Sequence, residues 1–137
     1  MTQAFLKYYQ DLPGTMEEAA VKNEFINLLE IAYKNSIPSG YVFDALYELA
    51  DRQYHTYSYL DKSTKQKIVE WLFRNWVIDS KFIETIGMIV GSIGLSEVIP
   101  MLKKSIDTTL SKEIKSQLEK IIIEIEPHCE NPYHDLK

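Results

Sequence analysis

Cysteine is nearly missing from this 137-residue chain: Cys129 stands alone. A lone cysteine excludes an internal disulfide and is what a reducing compartment permits. Long apolar runs are missing too. The longest nearly uninterrupted one, Ile86 to Leu95, is about half of the ~20 residues a membrane-spanning helix needs. The segment from Met1 to Tyr9 lacks the basic start and apolar run of a signal peptide. Together these shortages predict a cytoplasmic protein with no membrane association.

Positive charge is also in short supply. Fifteen Lys and Arg stand against 20 Asp and Glu, for a formal net charge of −5. Phosphate binding needs clustered cations, and the pairs Lys103/Lys104 and Lys65/Lys67 are too sparse to supply them. Direct nucleic-acid binding is therefore not expected. An acidic chain steers basic protein partners instead, though simple solubility would account for the same charge.

Chemical motifs are equally scarce. There is no Gly-x-Gly-x-x-Gly, phosphate-binding loop, His-Glu-x-x-His or Gly-x-Ser-x-Gly pattern, and no Glu-x-x-His of a di-iron bundle. Asp51 and His55, spaced i, i+4, resemble half of an acid–base pair, but an ordinary helix-end interaction explains them as well. His128, Cys129 and His134 lie near one another, with Glu126, Glu130 or Asp135 as a fourth metal ligand. Their spacing matches no common zinc pattern, and a packed tail is the simpler account. The expectation is a non-enzyme with no cofactor and no metal.

What the chain does have is helical periodicity, and one pattern that comes twice. Phe82, Ile86, Ile89, Val90 and Ile93 line one helix face. A shift of 32 residues lands on Ile114, Leu118, Ile121, Ile122 and Ile125, apolar at every position. Between them, Leu95 to Asp107 forms a second amphipathic segment containing Pro100. Helix, turn, proline-bearing helix, turn, helix at this period is the pattern of an α-solenoid.

The rest reads as helices as well. A first helix over about 2–11 stops at Leu12-Pro13-Gly14. A second opens on a capping box of Thr15 and Glu18 and buries Ala20, Phe25, Leu28, Leu29, Ala32 and Tyr33. A third spans about 40–54, with Val42, Phe43, Leu46, Leu49 and Ala50 inward. The stretch from His55 to Leu60 alternates like a short strand but lacks a partner strand and is read as a loop. Asp61 and Ser63 open a fourth helix through Val77, with Trp76 in the core and Trp71 partly exposed. Asp79 caps the fifth and Ser111 the seventh; Pro100 either sits harmlessly in the first turn of the sixth or kinks it. The pair over 40–54 and 61–77 reads as an earlier, more diverged repeat.

Three glycines, Gly87, Gly91 and Gly94, concentrate in the fifth helix and its end. An internal glycine costs a helix about 0.5–1 kcal/mol relative to alanine. The Gly87-xxx-Gly91 spacing favours close approach of a neighbouring helix over a flexible hinge, and Gly94 fits a left-handed helix stop. The expected architecture is all-α: a single domain over 1–137 of six or seven helices. N-terminal helices occupy 1–60, the repeat 61–126, and a tail or strap 127–137.

The segment from Asp79 to Glu126 resembles HEAT-repeat sequence. The resemblance lies in the aspartate opening the inner helix, the Ile/Leu/Val register, the turn and outer helix from Gly94 to Lys104, and the recurring inner helix. It covers about a third of the chain clearly and another third loosely. Glycines replace the usual alanines, and the arginine common in the inner helix is absent. HEAT proteins are mostly binding scaffolds, so the resemblance implies a protein partner.

Tyr41, Tyr47, Tyr54, Tyr57 and Tyr59 fall in one short stretch with Asp44, Glu48, Asp51 and Asp61. Tyrosine combines contact area with a hydrogen-bonding tip and is enriched at interfaces, although any one of these could edge the core. In overall character the chain resembles a bacterial immunity protein of a polymorphic-toxin or contact-dependent growth-inhibition system. That resemblance implies stoichiometric neutralisation of a toxin domain, commonly a basic nuclease, by covering its active site or substrate groove. The expected contacts are Asp44, Tyr47, Glu48, Asp51, Tyr54 and Glu84. The alternative is a HEAT-like scaffold or adaptor for an endogenous protein.

Overall fold

Seven α-helices account for the architecture of residues 2–133, which the computed structural model describes. They are α1 (Thr2–Gln10), α2 (Glu18–Lys34), α3 (Ser39–Tyr54), α4 (Lys62–Arg74), α5 (Ser80–Ile93), α6 (Ile99–Thr108) and α7 (Lys112–Ile125), with no strand among the described residues. Single 3-10 turns at Ser96–Val98 and Glu126–His128 precede α6 and follow α7. The segment from His55 to Leu60 is a loop, as its missing partner strand implied.

The helices stack in two rows. Helix α1 packs on α3, α3 on α5 and α5 on α7, so the odd-numbered helices form one row. In the other row α2 packs on α4, while α2 and α6 also lie against α3 and α7. This is an all-α stack of helical repeats with one continuous apolar core running through it. The 32-residue echo is its clearest part. Ile86, Ile89, Val90 and Ile93 are essentially inaccessible, and their counterparts Leu118, Ile121 and Ile122 are buried as well. Ile121 and Ile122 retain slight exposure, 9% and 7%, as expected of a helix with a neighbour on one side of the row.

Local signals set most helix ends. Asp61 accepts from Thr64 N at 3.0 Å and Thr64 Oγ1 at 2.7 Å; Asp79 accepts from Lys81 N, and Ser111 from Ile114 N. Each satisfies N–H groups that the first helical turn leaves free. Gly94 ends α5 at φ 84°, where only glycine is unstrained. Pro100 occupies the first turn of α6, where its missing N–H costs nothing, and the helix is not interrupted there.

Glycine between α5 and α7 acts as expected of close packing. A Cβ on Gly87 would lie 2.9 Å from Ile121 Cγ2, and one on Gly91 would lie 3.2 Å from Ile125 Cγ2. The two helices touch where α5 has no side chain.

Three sets of expectations are corrected. The capping box of Thr15 and Glu18 does not form, because α2 begins at Glu18 itself and its N-cap, Glu17, makes no side-chain cap bond. Ala20 and Tyr33 face outward, with the Arg74 guanidinium 5.6 Å from the Tyr33 ring centre. Trp71, expected to be partly exposed, is buried edge-on against Phe43, while Trp76, beyond the end of α4, is only partly buried against the core and donates to Ser105 Oγ. The reason is that α4 stops at Arg74, so Trp76 and Val77 no longer follow its helical register.

Candidate functional site

Asp44, Tyr47, Glu48, Asp51 and Tyr54 recur along α3 at helical spacing and share one face of it, opposite the buried Val42, Phe43, Leu46, Leu49 and Ala50. Glu84 projects from α5, the next helix in the same row. The row therefore carries all six expected contact residues, though in different states.

Tyr47 (39% exposed), Asp51 and Glu84 are open to solvent. Asp44 is half-buried. Burial raises its carboxyl above the ordinary carboxylate range; the nearby Lys81 ammonium opposes that shift and Glu48 adds to it. Glu48 is engaged from within, accepting from Arg52 Nη1 at 2.6 Å.

Arg52 had no role in the sequence reading, yet it organises this end of the molecule. Its side chain is buried and donates to the carbonyls of Gln10, Leu12 and Pro13 at 3.3, 2.8 and 3.2 Å. Those are the acceptors left over where α1 ends, so one guanidinium closes α1 and fastens it to α3. The signal available in sequence was an arginine beside the inward face of α3, two residues after Ala50, in a position a solvated residue would not occupy.

Tyr54 is turned to an internal task as well. Its ring lies 5.3 Å from that of Tyr133, and Tyr59 and Tyr57 approach the same ring at 5.6 and 6.0 Å. The Tyr133 hydroxyl donates within reach of two acceptors, Ser58 O at 2.9 Å and Gln53 O at 3.0 Å, and Tyr59 donates to Asn131 Oδ1 at 2.8 Å. Thus three of the five clustered tyrosines clasp the segment that follows α7. Tyr57 itself sits at φ 55°, a conformation costing a bulky residue about 1–2 kcal/mol, held in a turn tied by Gln53, Thr56 and Ser58.

The strap continues over the end of α5. Cys129 and Pro132 are buried, the Cys129 sulfur faces Val90 O, and burial pushes its thiol up to about 11. A Cβ on Gly94 would strike Cys129 O at 2.9 Å. Cys129 is thus a packing residue. His134 and Asp135 of the postulated metal cluster lie outside the described residues, and among the described ones no three His, Cys, Asp or Glu side chains converge on a metal site. Asp51 and His55 meet as a helix-end contact, with His55 Nδ1 2.8 Å from the Asp51 carbonyl oxygen and 3.7 Å from Oδ1.

A concavity lies in the same row, between α5 and α7. It encloses about 500 Å³, with Met88, Ile121 and Ile125 as apolar lining and Glu84, Lys120 and Glu124 at its rims. Among the described residues no helix is long and apolar enough to cross a membrane. No family model, curated protein or solved structure matches the chain.

Proposed function

We propose that this chain is an immunity protein of the HEAT-like kind, which binds a basic toxin domain, a nuclease, and neutralises it by covering its active site or substrate groove. The reading makes the protein a cytoplasmic, non-enzymatic binder that touches no nucleic acid itself. One observation carries it: the outward face of α3 presents Tyr47 and Asp51 beside the half-buried Asp44, with Glu84 on the adjoining helix of the same row. Tyrosine flanked by carboxylates suits a partner surface built to hold phosphate, because the carboxylates stand where nucleic-acid charge would. Glu48 and Tyr54 support that face from behind through Arg52 and Tyr133.

The test has two arms. A toxin domain encoded directly upstream of the gene, co-expressed with this chain, is expected to leave cells growing. The purified chain is expected to abolish its nuclease activity at an equimolar ratio. The double variant Tyr47→Ala with Asp51→Lys should slow association about tenfold or more at low salt, leaving the helical circular-dichroism spectrum unchanged. A nuclease that stays active under saturating chain removes the immunity reading. Association at an undiminished rate removes the α3 face. Glu48 is deliberately left intact, since its substitution would also disturb Arg52.

A further inference from the structure

The groove between α5 and α7 has a definable register. Gly87 meets Ile121 and Gly91 meets Ile125, so the two helices advance together and run parallel. On that register Glu124, on the α7 wall, lies about six residues, or about 9 Å, further along than Glu84 on the α5 wall. The valley therefore has an apolar middle and one carboxylate near each end, on opposite sides.

Its lining suits an inserted side chain. Met88 is 49% exposed on a helix that is otherwise strongly apolar, and an unbranched thioether adapts its shape to what lies against it. The stem of Lys120 can line the wall while its ammonium turns to water. At the Glu84 end, Gln117 donates through Nε2 to Ser80 Oγ and leaves its buried Oε1 without a donor. Rotation of that amide would offer a cation a second acceptor beside the carboxylate.

We infer that the α5–α7 groove docks a basic amphipathic helix, in which an apolar anchor enters the valley and two cations about two turns apart pair with Glu84 and Glu124. On a helix, residues seven apart are separated by about 10 Å along the axis, close to the axial offset between Glu84 and Glu124. The residue midway between them faces the same side and reaches Met88 and Ile121. A valley between parallel helices is a shape into which a third helix ridge packs. The inference rests on the proposed role as a binder of a basic protein, and it specifies which part of such a partner this groove takes.

The probe is a fluorescein-labelled, lactam-bridged helix of about 15 residues, with Leu at its centre and Arg at two positions two turns apart. Its twin carries Glu in place of both Arg. The first peptide is expected to bind and to shift the backbone amide resonances of Gly87 and Gly91. Glu84→Lys with Glu124→Lys should weaken it about tenfold or more and restore binding to the Glu twin. Equal binding of both peptides, shifts confined to other helices, or the same shifts arising from protein concentration alone would overturn the inference; the last would mean a second copy fills the groove. Because the probe contains no toxin, the two proposals separate. Peptide binding without toxin inhibition leaves the groove and removes the immunity role, and inhibition without peptide binding does the reverse.

Discussion

In the N-terminal half, α1 is held to α3 by a buried cation that collects four carbonyl oxygens, three of them at the end of α1, and a carboxylate. In the C-terminal half, α5 is held to α7 by the lack of side chains at Gly87 and Gly91, which lets isoleucines settle against bare backbone. The first attachment is directional and concentrated in one residue. The second is non-directional and spread over a whole helix face. Directional contacts fail abruptly when their centre is lost, whereas dispersed packing fails in proportion to the space disturbed.

That contrast can be broken most forcefully at Arg52. Arg52→Ala strands the carbonyls at the end of α1 together with Glu48, and is expected to cost about 3 kcal/mol in urea unfolding, with amide protection lost first in α1. Arg52→Lys should recover little, because a single ammonium cannot reach acceptors spread across a guanidinium fork.

At Gly87 the expected effect is smaller and its sign depends on the neighbour. Gly87→Ala gains up to about 1 kcal/mol of helix propensity but drives a methyl into Ile121, for a net loss of about 1.5 kcal/mol. In an Ile121→Ala background the same change should become stabilising. Gly91→Ala, with more room before Ile125, should be close to neutral. Equal penalties at the two glycines would show that backbone conformation, not proximity, selects glycine here.

The smallest effects concern pH, and they sharpen the contrast because both groups flank α3 and α4 rather than the isoleucine face. Hydrogen bonds from Thr64 hold the Asp61 carboxyl below its ordinary range. Its stabilisation is therefore present at neutral pH and lost as pH falls through that lowered value. Asp61→Ala should cost about 1 kcal/mol at pH 7 and less in acid. Asp44 has the opposite sign. Raised by burial, it binds its proton more tightly in the folded chain, so it weakens the fold once pH exceeds the ordinary carboxylate range. Asp44→Asn should raise the melting temperature slightly at pH 7 and leave it unchanged at pH 3.

These halves also differ in how far they could be foreseen. Isoleucine periodicity, the caps at Asp61, Asp79 and Ser111, and the stop at Gly94 are local signals, and each is found where the sequence put it. Arg52 was missed because its partners lie about 40 residues away, and no local pattern announces a cation that ends a distant helix. The burial of Trp71 and the partial exposure of Trp76 were misjudged for a related reason. Their burial depends on where α4 ends, and nothing between Phe73 and Ile78 breaks a helix conspicuously. The tyrosine stretch was recognised as a cluster, but periodicity could not reveal that Tyr133 returns to sit among its members.

That return has a consequence for how the molecule comes apart. Stacked repeats that touch only their neighbours behave as a one-dimensional chain and can fray gradually from either end. The Tyr133 hydroxyl reaches Gln53 O across 80 residues of sequence, tying the segment beyond the final helix to the middle of the stack. Loosening α7 therefore also disturbs the loop after α3. Such closure raises contact order and slows folding relative to an open stack, and in exchange it favours unfolding in a single concerted transition.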